Sequence, residues 1–98
     1  MNNSKEIIIE MYDKQNNCYK YELLAVIEYE NNNYAVMFQK NDIFNTEVEI
    51  FKMKDAKDKS ATYYEPEENN YINKQVYEMF KEQYQNNYTN YISFKDKY

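Results

Sequence analysis

Ninety-eight residues with 12 lysines, no arginine and 17 Asp plus Glu carry a net charge of −5 at neutral pH, enough chain for one domain and no second core. A chain of this size buries roughly 60–70% of its unfolded surface, so a modest core forms without disulfides or metal. His, Arg, Gly and Trp are all absent, which removes the imidazole base, the guanidinium clamp and the glycine-rich phosphate loop.

Glu6 to Tyr12 predicts a first strand, with Ile7, Ile9 and Met11 on one face and Glu6, Glu10 and Tyr12 on the other. Its apolar run is too short for a secretory signal or a spanning helix, which places the chain in the cytoplasm as an expectation. Asp13 to Asn17 reads as a turn, Asn and Asp adopting the left-handed conformations that Gly would otherwise supply. Cys18 is the single cysteine. It has no partner for an internal disulfide and no His to hold it as thiolate, so it reads as a half-buried structural thiol at the start of a strand.

Tyr19 to Glu30 is the longest strand signal. Tyr19, Tyr21, Leu23, Ala25, Ile27 and Tyr29 alternate without a break. The opposite face is polar at Lys20, Glu22, Glu28 and Glu30 and apolar at Leu24 and Val26, the pattern of a central strand covered on both sides at its middle. Asn31-Asn32-Asn33 predicts a hairpin turn, and Tyr34 to Phe38 the returning strand. Lys40 to Thr46 is a polar loop containing Ile43 and Phe44. Glu47 to Met53 alternates Val48 and Ile50 with Glu47 and Glu49 as a fourth strand. Lys54 to Ser60 reads as a solvated loop, and Ala61 to Glu65 as a short fifth strand ended by Pro66.

From Asn70 the period lengthens. Ile72, Val76, Phe80 and Tyr84 recur every four residues, flanked by Tyr77 and Met79, which predicts an amphipathic helix over about 71–86. Asn69, Asn70 or Asn73 serves as its cap, with Glu67 and Glu68 near the positive end of its dipole. The sheet needs this stripe as a cover for one face. The expected fold is α+β: an antiparallel meander of four or five strands with one C-terminal helix packed on one face. Residues 1–86 form the domain. Residues 87–98 form an aromatic tail that extends the helix, adds an edge strand or docks elsewhere.

The segment Tyr21 to Glu30, a short turn, and Tyr34-Ala35-Val36-Met37, followed by Val48 to Lys52, Tyr64-Glu65-Pro66 and Val76 to Phe80, resembles the YrzB-like family. These are small acidic cytoplasmic proteins of Gram-positive bacteria, classed as a domain of unknown function. The resemblance covers roughly residues 7–85 and implies no activity, cofactor or catalytic residue. The 15 Asn, 13 Tyr and 12 Lys also match the AT-rich codons of a bacterial or phage genome.

The candidate carboxylate groups are Glu28 with Glu30, Glu47 with Glu49, and Glu65 with Glu67 and Glu68; residues at i and i+2 share a strand face, but no loop of metal-binding spacing accompanies them. Ser4, Ser60 and Ser93 have no His as base. The reading is a protein without catalysis, cofactor, metal or small-molecule substrate. Tyrosine platforms that stack nucleic-acid bases work inside positive grooves. A pI of about 4.7 with dispersed lysines excludes direct nucleic-acid binding here.

A protein partner or self-association remains, since exposed Tyr offers large, rigid contact area. The candidate contact residues are Tyr63, Tyr64, Tyr88, Tyr91 and Phe94. The function expected is a small acidic interaction or regulatory module. The alternative is a phage- or mobile-element-encoded inhibitor of a bacterial defence system, anti-CRISPR-like, that binds a protein effector through its acidic, tyrosine-rich surface. A nucleic-acid mimic would gather its charge on one face. Here four lysines meet seven acids in residues 1–45, and eight meet ten in residues 46–98.

Overall fold

The computed structural model describes residues 6–41, 47–58, 60–88 and 93–94. Strands β1 (Ile8–Tyr12), β2 (Cys18–Tyr29), β3 (Asn32–Gln39), β4 (Glu47–Asp55) and β5 (Thr62–Pro66) form an antiparallel meander in spatial order β1-β2-β3-β4-β5. Helix α1 (Asn70–Tyr88) packs across one face, giving the α+β architecture that the periodicities predict. A two-residue strand, β6 (Ser93–Phe94), runs parallel to β4 at Glu47 and Val48. Since β3 holds the other edge of β4 there, β6 occupies the lane that β5 leaves at Pro66. The tail thus both lengthens the helix and supplies an edge strand. Ile43 and Phe44 lie outside the described residues.

The helix stripe falls where its spacing puts it. Val76 and Phe80 are buried against Ile27, Tyr34, Val36, Val48 and Ile50, with Ile72, Tyr77, Met79 and Tyr84 packed around them. Asn69 is the cap: its Oδ1 accepts the Ile72 N–H at 3.1 Å. Asn70 is the first helical residue instead. Asn73 is buried and donates its side-chain amide to the Glu67 carbonyl at 2.7 Å, tying the first turn of the helix to the segment leaving β5.

The second core lies on the opposite face of the sheet. Tyr21, Ala35, Met37 and Phe51 are buried there, with Ile9, Met11, Tyr19, Leu23, Met53 and Tyr64 around them. This arrangement corrects the unbroken face expected of β2. Leu23 pairs with Met37 and Ala25 with Val36, so Leu24 is an extra residue, a β-bulge. Before the bulge, Tyr19, Tyr21 and Leu23 face away from the helix; after it, Ala25, Ile27 and Tyr29 face toward it. Leu24 joins the helix-side core, and Val26 is left 43% exposed rather than covered.

The hairpin turn also lies earlier than the Asn triplet suggests. Tyr29 pairs with Asn32, and the turn residues are Glu30 (φ 51°) and Asn31 (φ 66°), while Asn32 and Asn33 belong to β3. Two consecutive left-handed residues match the twist of a two-residue hairpin loop. Without Gly, Glu30 takes this conformation at a cost of roughly 1–2 kcal/mol. Asn16 (φ 67°) does the same in the β1–β2 turn. Lys54 and Asp55, expected in a loop, instead continue β4 opposite Tyr63 and Thr62, and Lys54 Nζ reaches Glu65 Oε1 at 3.0 Å. Among the described residues, no helix is long and apolar enough to cross a membrane.

Candidate protein-binding groove

Each strand of the sheet carries a right-handed twist, and the bulge in β2 adds a local bend. The sheet curls away from the helix, and its two edge strands, β1 and β5, rise on either side of an open groove of about 480 Å³. Tyr21 and Phe51 form its floor, packed edge to face with ring centroids 5.2 Å apart at 74°. Ile9 and Met11 form the β1 wall, and Tyr64, opposite Met53, forms the β5 wall.

The polar end of the groove is built on Asp13. Its Oδ1 accepts the backbone N–H groups of Gln15 and Asn17, each at 2.9 Å. Its Oδ2 accepts the Asn17 side-chain amide at 3.1 Å and the Tyr19 hydroxyl at 3.2 Å. These bonds, led by the Asn17 backbone N–H, hold the Asp13 carboxyl below its ordinary value. The Tyr19 hydroxyl is pushed up by donating to Asp13. The Tyr21 hydroxyl is pushed up to about 12, first by burial and then by the nearby Glu49 carboxylate, to which it hydrogen-bonds. The Tyr19 and Tyr21 hydroxyls are therefore donors at neutral pH. The charged group at the groove is the Asp13 carboxylate, Glu10 pointing its side chain to the other face of β1, and among the described lining residues none is a lysine.

The Asp13 knot has a consequence in acid. A carboxyl with a lowered folded pKa contributes stability that is complete above its unfolded pKa, near the ordinary 3.8, and is lost as pH falls through the folded value. The Gln15 and Asn17 amide resonances are expected to move together in a single step below that ordinary value in an NMR titration. Asp13→Asn should remove the step while leaving the β2–β3 hairpin unchanged. A midpoint at or above the ordinary Asp value would contradict the geometry.

Of the residues expected at an interface, Tyr63 and Tyr64 both border the groove on β5, but only the Tyr64 ring faces into it; Tyr63 points to the other side of the sheet, opposite Lys54. Tyr63 is 58% exposed, and Tyr64 is half-buried against the second core. Tyr88 ends α1 and Phe94 lies in β6, while Tyr91 lies outside the described residues. Ile9, Met11, Tyr19, Tyr21 and Phe51 complete the groove but read from the sequence as ordinary core positions. Their one distinguishing signal is that they belong to strands at or next to an edge of the meander. Cys18 is half-buried at the start of β2, as expected. Among the described residues, no group of three or more His, Cys, Asp or Glu converges as a metal site would require. Comparison with protein-family models, with curated proteins and with solved structures returns no match.

Proposed function

We propose that this chain is a small, non-enzymatic protein-binding module and that the tyrosine-lined groove between β1 and β5 is its contact surface. The observation that carries the reading is the groove itself. An aliphatic wall on β1 and an aromatic wall on β5 stand over an aromatic floor, with tyrosine hydroxyls and the Asp13 carboxylate at one end, the make-up of a protein interface with a few orienting polar groups. Membership of the YrzB-like family, suggested by the β2–β3 hairpin, is part of this proposal and adds no activity.

The second reading, an inhibitor of a defence effector, draws on the same surface. The Asp13 carboxylate at the groove's end favours a basic partner, as nucleic-acid-handling effectors are. Gene neighbourhood separates the two readings, since a prophage beside defence genes supports the inhibitor and a chromosomal housekeeping cluster supports the module.

The test is capture of partners from lysate of the cognate bacterial host on the immobilised chain, followed by reconstitution with the purified captured protein. Tyr64→Ala removes the groove-facing ring of the β5 wall and should weaken the reconstituted complex about tenfold, the range of an interface anchor. Equal binding by the variant, or no partner that survives purification, would refute the groove as the contact surface.

A further inference from the structure

The two edges that flank the groove differ in how open their backbones are. The Leu23 N–H donates to the Ile7 carbonyl at 2.8 Å, and the Asp13 N–H to the Asn17 carbonyl at 3.1 Å. Hydrogen-bonded positions alternate along an antiparallel ladder. Ile7, Ile9, Met11 and Asp13 therefore turn their backbone groups toward β2, and Ile8, Glu10 and Tyr12 turn theirs outward. On β5 the Glu67 N–H donates to the Ile50 carbonyl and the Ala56 N–H to the Ala61 carbonyl. By the same alternation the outward positions there are Thr62, Tyr64 and Pro66, and Pro66 has no N–H to offer. Proline blunts the β5 edge. Among the described residues, no proline, lysine or bulge blunts β1. Ile7, Ile8 and Tyr12, which are 56%, 43% and 60% exposed, present apolar surface along it.

An open apolar edge is a template for another strand, and Glu10 at its centre selects which strand. A second copy pairing antiparallel through all three outward positions would set Glu10 against its own counterpart, a like-charge pair that destabilises the ladder. A strand with a cation at that position would instead continue a row that already runs from Lys20, the β2 residue opposite Glu10.

We propose that β1 accepts an extended segment of another protein as an added antiparallel strand. The segment carries Lys or Arg opposite Glu10 and apolar residues opposite Ile8 and Tyr12. The intervening residues of the segment fall on the groove face beside Ile9 and Met11 and are apolar as well. This proposal rests on the groove reading and specifies both the partner's chemistry and its mode of binding.

The test uses the full chain, labelled with ¹⁵N, and a blocked peptide with the core Val-Val-Lys-Val-Val flanked by Ser. Binding should protect the Ile8, Glu10 and Tyr12 amides from hydrogen exchange, with little change at Ile9 and Met11, whose N–H groups already face β2. Replacing the peptide's Lys by Glu should weaken binding about tenfold, and Glu10→Lys should reverse the preference between the two peptides. A peptide methylated at the backbone nitrogens that face β1 should not bind.

Binding that shifts Tyr19, Tyr63 and Tyr64 but leaves the three outward amides unprotected would overturn strand addition and leave the groove reading standing. Concentration-dependent protection of those amides without peptide would show a second copy as the occupant and overturn the proposed partner. Absence of peptide binding at millimolar concentration would overturn the proposal, while a captured partner weakened by Tyr64→Ala would still support the groove.

Discussion

Deletion of Leu24 is expected to unfold the domain. Strand side chains alternate with a period of two, so removing the bulge residue rotates every residue on one side of it to the other face. If the Ala25–Tyr29 half keeps its place under the helix, the Cys18–Leu23 half inverts. Lys20 and Glu22 would then point into the second core, and Tyr21 and Leu23 into water. β1 is paired to that half of β2 through its whole length, so Ile9 and Met11 lose their packing with it. Each buried apolar side chain of this size is worth roughly 1.5–3 kcal/mol. Losing several is comparable to the roughly 5–15 kcal/mol that stabilises a domain of this length. Leu24→Ala, which keeps the extra residue, should stay folded at a lower stability. Amide NMR spectra distinguish the outcomes, and a dispersed, native-like spectrum for the deletion would show that the two halves of β2 do not have opposite facing.

Phe51→Ala is expected to cost about 3–5 kcal/mol, the range for removing a buried aromatic ring from a packed core. Phe51 is 3% exposed and lies on the face opposite the helix, where its ring meets the edge of Tyr21. The lost pair adds to the cavity left behind. Urea titration should show a lower midpoint with an unchanged slope. Phe51→Leu, which refills most of the volume, should recover a large part of the loss. A cost under about 1 kcal/mol would show that the site collapses around the gap or that the floor is not packed. The same substitution deepens the groove, so any partner bound there should lose affinity in the Leu variant by less than in the Ala variant.

Much of the framework was legible because it rests on local periods. Ile72, Val76, Phe80 and Tyr84 sit on one side of any α-helix whatever surrounds it, and Asn69 stands where a capping side chain is needed. The β2–β3 hairpin is equally local. Its exact turn was not legible, because Asn31, Asn32 and Asn33 are chemically alike and a glutamate at a left-handed position has no sequence signature. The bulge was hidden for a related reason. Leu24 sits between apolar Leu23 and apolar Ala25, so alternation reads smoothly across a point where the two faces exchange. The groove follows from that exchange and from the curl of the sheet, and both depend on contacts far apart in sequence. Tyr63 and Tyr64 were identifiable as aromatic residues on a short edge strand, but nothing local shows that Tyr64 is the one that faces Met11 and Tyr19 across the groove.

The meander order also bears on how quickly the chain reaches this structure. Each of the first five strands zips onto the one just before it, so most contacts close short loops and little chain entropy is lost before they form. The β2–β3 ladder, joined by only two turn residues, is the natural place for folding to start, with the helix settling once that surface exists. β6 is the exception, because it returns from the far end of the chain to β4 and can lock only after everything between has formed.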